Sequence, residues 1–169
     1  LALGAVGTIA AVLAFFALRF FPYRKVMKSL YIAMALSIIF SAILLFPVVS
    51  AIINGNIQYS VLQIYLSVLV GFLLVGGIFA ITDYYTSKEF SPVRRIARAS
   101  LGGHATNIIS GISVGFEATA VPVVLIGLGI LISFWLAGIY GVALAVMGML
   151  SLAGMVVAVD AFGPVADNA

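Results

Sequence analysis

The chain carries five carboxylates, Asp83, Glu89, Glu117, Asp160 and Asp167, and any chemistry must be built largely from these. Asp160 and Asp167 follow a long apolar run and flank Gly163-Pro164. Carboxylate oxygens at a membrane surface suit a hard cation. Mg²⁺ in particular takes protein oxygens together with phosphate oxygens and water. Read by spacing alone, the same two residues could simply terminate a helix. They do not form an aspartyl-protease pair, which needs carboxylates from different helices sharing a proton, because both lie on one segment. Glu117 sits 13 residues beyond His104 in another apolar run, which is ~20 Å along a helix at ~1.5 Å per residue. An acid at that depth belongs either to an ion path or to a packed, hydrogen-bonded site with a partner such as Thr119. Ser113 lies in a formal GxSxG (Gly111, Ser113, Gly115), but that motif needs a strand–turn–helix elbow. His104 is ~13 Å away on the same helix, so a serine hydrolase is rejected. Glu89 beside Lys88 reads as a solvated charge. Without cysteine there is no disulfide framework, zinc ribbon or iron–sulfur cluster.

The elements that position these residues follow from the composition. Of 169 residues, 64% are apolar and 8% charged, far from the ~25% charged residues of a soluble domain. Soluble, disordered and fibrous classes are excluded. Charge-free runs mark the spans, each of ~20 residues matching a ~30 Å hydrocarbon core. Residues 29–82 contain no charge over 54 positions, too many for one helix, and Asn54, Gly55, Asn56, Ile57 and Gln58 supply a turn-forming break. The expectation is an all-α polytopic membrane protein with about five transmembrane helices, at 1–21, 29–53, 59–82, 104–136 and 141–160. The apolar runs lack the alternation of a membrane barrel. Connecting loops fall at 19–28 and 83–103, and a second break at 137–141.

All eight basic residues, Arg19, Arg24, Lys25, Lys28, Lys88, Arg94, Arg95 and Arg98, lie in those two loops. The positive-inside rule makes both cytoplasmic, and the end of the fifth helix, with Asp160 and Asp167, follows them to that side. This topology accounts for the net charge of +3 better than a nucleic-acid partner does, and none is expected. Gly111 and Gly115, then Gly138, Gly141, Gly148 and Gly154, suggest close packing of helices four and five, with helices one to three facing lipid. The chain begins at Leu1 and stops at Ala169 without a signal-peptide pattern, as expected for an internal piece of a longer membrane protein.

Several blocks occur in a specific order. They are Thr82-Asp83-Tyr84-Tyr85-Thr86-Ser87, Pro92-Val93, Ala105-Thr106-Asn107-Ile108-Ile109 with Gly111, and Val114-Gly115-Phe116-Glu117-Ala118-Thr119. Leu136-Ala137-Gly138-Ile139-Tyr140-Gly141, Gly148-Met149-Leu150-Ser151 and the run from Asp160 through Ala169 follow. Together they resemble the membrane-integral, ion-pumping pyrophosphatases over about half the chain, from Thr82 onward. The resemblance implies a sixteen-helix bundle in two concentric rings, assembled as a homodimer in the lipid bilayer. It implies hydrolysis of the phosphoanhydride of cytoplasmic pyrophosphate, coupled to transport of H⁺, Na⁺ or both. Mg²⁺ is the implied cofactor, with K⁺ or Na⁺ as an activator. On this resemblance Asp160 binds the Mg²⁺–diphosphate complex, and Asp167 and Asn168 continue the same block. Asp83 stands where Glu is usual and Phe162 where Tyr is common. The family's aspartate-rich helices, catalytic lysines and ion gate lie outside these residues, so the segment alone should be inactive.

A second reading is an ion-coupled secondary transporter with Glu117 as the coupling carboxylate. A third is a structural membrane subunit. The expected location is a prokaryotic cytoplasmic membrane, with a vacuolar or acidocalcisome membrane as the alternative.

Overall fold

A computed structural model describes residues 1–20, 26–52 and 58–168. Side chains at 26, 27, 162–164, 166 and 167 lie outside that description, as do Arg24, Lys25 and residues 54–57 of the expected turn. Among the described residues every regular element is a helix. These are α1 (Ala2–Leu18), α2 (Val26–Ile52), α3 (Val61–Thr86), α4 (Ser91–Ala99), a 3₁₀ turn at Ser100–Gly102, α5 (His104–Ser151) and α6 (Ala153–Asp167). The apolar runs become helices because a backbone in hydrocarbon must satisfy its hydrogen bonds within its own segment. The fold is that of an all-helical, polytopic membrane protein. Among the described residues three stretches are long and apolar enough to cross a bilayer, Lys28–Ile52, Val61–Gly102 and His104–Ala161, and Ala2–Leu18 is a shorter apolar helix.

The last of those stretches has 58 residues, far beyond one crossing of a ~30 Å core. It is divided where the backbone leaves helical geometry, at Ala137 (φ −149°, ψ 31°) and Gly138 (φ 57°, ψ −148°). A positive φ there is cheap only for glycine. Beyond this point the chain folds back on itself. Gly141 lies so close to the Ser133 carbonyl that a side chain would collide with it, and the Ser67 hydroxyl is 3.0 Å from the same point. A second break, at Leu152, separates α5 from α6, with the Leu152 N–H donating to the Met149 carbonyl at 3.2 Å.

The chain forms two compact units. The first comprises Leu1–Gly76 with Gly129–Ala169. Val6, Ala10 and Ala14 make the buried stripe of α1, against which α2 packs. Leu45, Val68, Phe72, Leu152 and Met155 are among the core residues of this unit. Close approaches are made at several of its glycines. A side chain at Gly7 would strike the Ser151 backbone, one at Gly71 the Ala145 carbonyl, and one at Gly148 the Val68 carbonyl at 2.8 Å. In lipid, where apolar side chains gain nothing by leaving their solvent, such close packing is what holds helices together. The close packing expected of the fourth and fifth helices is found at Gly141 and Gly148 but not at every glycine of the run. Gly111, Gly115 and Gly154 have open space around the position of a Cβ, whereas Gly7 and Gly71 in the first and third helices are tightly packed.

The second unit, Gly77–Leu128, holds the end of α3, α4, the 3₁₀ turn and the first part of α5. The segment 83–103 differs from the loop expected of it. Helix α3 continues to Thr86, and α4 occupies Ser91–Ala99 with Pro92 in its first turn. That is the position where a missing N–H costs nothing and the fixed φ favours a helix. The Thr106 hydroxyl donates to the Ala99 carbonyl at 2.8 Å and contacts the Gly103 carbonyl at 2.9 Å, tying the turn to the start of α5. Gly103 takes φ 106° in that turn.

Candidate functional site

The carboxylates named from sequence lie on different elements, and each unit places its own. In the first unit Asp160 is exposed on α6. It does not sit at a helix end, as expected from Gly163-Pro164, because α6 continues through both to Asp167. Pro164 has no backbone N–H, so one bond of the helix is forfeited. That bond is the one Pro164 would have given to the Asp160 carbonyl. Asp160 thus offers an exposed carboxylate, on a residue whose carbonyl Pro164 cannot bond. Asp167's side chain lies outside the described residues, and Asn168 is exposed at the end of the helix.

Oxygen donors of this kind fit Mg²⁺ chemically, but not in sufficient number. The ion takes six oxygens in near-octahedral geometry. Among the described residues no group of three or more His, Cys, Asp or Glu side chains could hold a metal. Asp160 can contribute a ligand or an acceptor for a water on the ion, and the remaining donors must come from elsewhere.

In the second unit Glu117 has a partner that sequence reasoning missed. Arg95 of α4 donates through its Nη1 to the Glu117 Oε2 at 2.8 Å. Both side chains are about half exposed, at 54% for Arg95 and 47% for Glu117. Thr119, expected as a hydrogen-bonding neighbour, instead donates back to the Phe116 carbonyl at 2.8 Å. A charge 13 residues along a membrane helix is thereby balanced within its own unit. The signal available in sequence was the compensating charge itself, Arg95 in a basic segment. The 22-residue separation across a turn hid the pairing.

Asp83 is half-buried on α3, where its carbonyl accepts the Ser87 N–H at 2.8 Å. Ser113 and His104 share one helix and are both exposed, with no elbow between them. Sequence reasoning also passed over four buried polar atoms without a hydrogen-bond partner among the described residues, the hydroxyls of Ser37, Ser41 and Ser133 and Oδ1 of Asn107.

A family model described as inorganic H⁺ pyrophosphatase matches residues 1–169. A K⁺-insensitive pyrophosphate-energized proton pump of Moorella thermoacetica is 40% identical over 98% of this chain and 25% of its own length. A K⁺-insensitive pyrophosphate-energized proton pump of Methanosarcina mazei is 39% identical over 100% of the chain and 26% of its own length. A Clostridium tetani protein, provisionally named a K⁺-stimulated pyrophosphate-energized sodium pump, is 47% identical over 72% of the chain and 19% of its length. The chain thus spans about a quarter of the relatives it matches end to end. With every residue from 1 to 169 matched by that model, and with a polytopic helical fold, the chain belongs to the inorganic H⁺ pyrophosphatase family.

Proposed function

We propose that this chain is part of a primary ion pump that couples hydrolysis of cytoplasmic Mg²⁺–pyrophosphate to transport of H⁺, Na⁺ or both across the membrane. The observation that carries the proposal is the family match over the whole chain, joined to relatives named as pyrophosphate-energized proton and sodium pumps. In this reading the segments around Arg19 and Lys28, and around Lys88–Arg98, face the cytoplasm by their positive charge. Asp160 on α6 faces the same side and contributes to binding of the metal–diphosphate complex, with Asp167 and Asn168 completing the block. Bound Mg²⁺ would neutralise diphosphate charge. The residues of this chain orient that complex but do not enclose it, so the segment alone is inactive. Potassium is an activator or is dispensable, as the names of the relatives divide on that point. The whole protein is a homodimer in a prokaryotic cytoplasmic membrane. The secondary-transporter reading gains no support, since its coupling carboxylate, Glu117, is held by Arg95.

The test is made on inverted membrane vesicles containing the full-length protein. Pyrophosphate with Mg²⁺ should release orthophosphate and acidify the lumen or load it with Na⁺, and collapsing the ion gradient should speed hydrolysis. Ion movement without pyrophosphate, or hydrolysis that never moves an ion, would overturn the proposal.

A further inference from the structure

Helix α4 is the one strongly amphipathic helix among those described. Its nine residues place Pro92, Val93, Ile96 and Ala99 on the side turned toward the unit, with Pro92 buried. Arg94, Arg95 and Arg98 lie on the other side and are exposed. Arg94 and Arg98 are four residues apart, neighbours on the helix surface where like charges repel. The local acids offset only part of this charge. Arg95 is taken by Glu117 at 2.8 Å. Arg94 reaches Glu89 only at 4.0 Å, while its Nε donates to the Lys88 carbonyl at 3.2 Å. Asp83 lies half-buried on α3. Lys88 and Arg98 have no ion pair among the described residues.

The position of α4 is as restrictive as its charge. Four residues, 87–90, separate it from the end of α3, and four, 100–103, separate it from the start of α5. The apolar runs able to cross a bilayer lie in the neighbouring helices α3 and α5, so α4, with three arginines in nine residues, is tethered at the membrane surface. Large apolar side chains stand beside the cations. Leu101 is 90% exposed at one end of α4, while Phe90 is exposed at the other, 5.2 Å from the Tyr84 ring. Aromatic and aliphatic groups next to guanidinium groups are suited to the boundary between acyl chains and headgroups.

We propose that the exposed face of α4, through Arg94, Arg98 and Lys88, binds the phosphate headgroup of an anionic phospholipid, with Leu101 and Phe90 in the acyl boundary. Two guanidinium groups four residues apart can share one phosphate, each presenting planar donors matched to its oxygens. A bound anion relieves the repulsion between Arg94 and Arg98. A soluble phosphate would satisfy the cations equally, but would leave Leu101 in water. The exposed apolar pair therefore selects a lipid.

The full-length protein in mild detergent is titrated with phosphatidylglycerol, phosphatidylcholine and inorganic phosphate, and bound lipid is counted by native mass spectrometry. Phosphatidylglycerol should be retained in preference to phosphatidylcholine, and the preference should fall with salt. Arg94→Gln with Arg98→Gln should weaken phosphatidylglycerol binding by roughly fivefold per cation removed. Lys88→Gln with Arg98→Gln leaves both arginine contacts of α4 to acids intact, and carries the same expectation if the first variant fails to fold. Unchanged phosphatidylglycerol binding in whichever variant folds overturns the proposal. So does displacement of the lipid by inorganic phosphate, which would assign the face to a soluble anion.

Discussion

At the scale of single residues, Asp160 and Glu117 show what a carboxylate's surroundings decide. Asp160 is exposed in mid-helix, with a proline four residues on that cannot satisfy its carbonyl. Its place in mid-helix gives it no helix-end role, and its proposed role is a contact to the metal–diphosphate complex. Asp160→Asn keeps size and hydrogen bonding but removes the charge. In the full-length protein this variant should fold normally and lose most phosphate release from Mg²⁺–pyrophosphate. Near-normal hydrolysis with unchanged Mg²⁺ dependence would remove Asp160 from the site. Glu117 is different, because Arg95 holds it at 2.8 Å. A double-mutant cycle with Arg95→Ala and Glu117→Ala, read by thermal unfolding, should give a coupling on the order of 0.2–1 kcal/mol if water reaches the pair. The coupling should be larger if the rest of the longer protein covers it. Strictly additive effects would make the pairing incidental. The two carboxylates were visible in sequence, but their environments were not. Asp160 was expected at a helix end on the strength of Pro164, and Glu117 was assigned neighbours from its own helix because Arg95 is remote in sequence.

At the scale of elements, the helices meet where glycine removes a side chain from between two backbones. Gly71, Gly141 and Gly148 each face a carbonyl, a rigid neighbour that cannot rotate away. Gly71→Ala and Gly141→Ala should each destabilise the protein by about 1–3 kcal/mol, the usual cost of overpacking, measured as a lower unfolding temperature in detergent. Gly111→Ala is the control, since among the described residues nothing beyond its own turn of helix lies within 4 Å of the added carbon. A comparable cost there would show that a helix outside this segment presses on that face. Membrane class and helical fold were legible because apolar length is read directly from composition. The packing glycines were legible only in part. Gly141 and Gly148 belong to a visible run of small residues, whereas Gly71 stands among larger apolar residues and reveals itself only by what it touches. The helix α4 was missed for a related reason. Its arginines mark topology, while an apolar face of four residues on a nine-residue helix is too short to stand out in the sequence.

At the scale of the whole molecule, charge decides orientation. If the basic segments face the cytoplasm, Gln58→Cys in a cysteine-free full-length background should react with an impermeant thiol reagent in intact cells, and Lys88→Cys should not. The reverse pattern would invert the protein in its membrane and put Asp160 on the wrong side for cytoplasmic pyrophosphate. The reversal at Ala137 and Gly138 bears on how such a chain enters the bilayer at all. Between Glu117 and Asp160 there is no charged residue, and the fold-back needs only two non-helical positions before Gly141 meets the Ser133 carbonyl. An ordinary pair of spans must drag a hydrated loop across the hydrocarbon, where one Asp, Lys or Arg adds roughly 2.5–3.5 kcal/mol at mid-bilayer. Here nothing hydrated has to be dragged. The outgoing and returning helices can therefore enter the membrane together as a preformed hairpin, with a glycine hinge in place of a translocated loop.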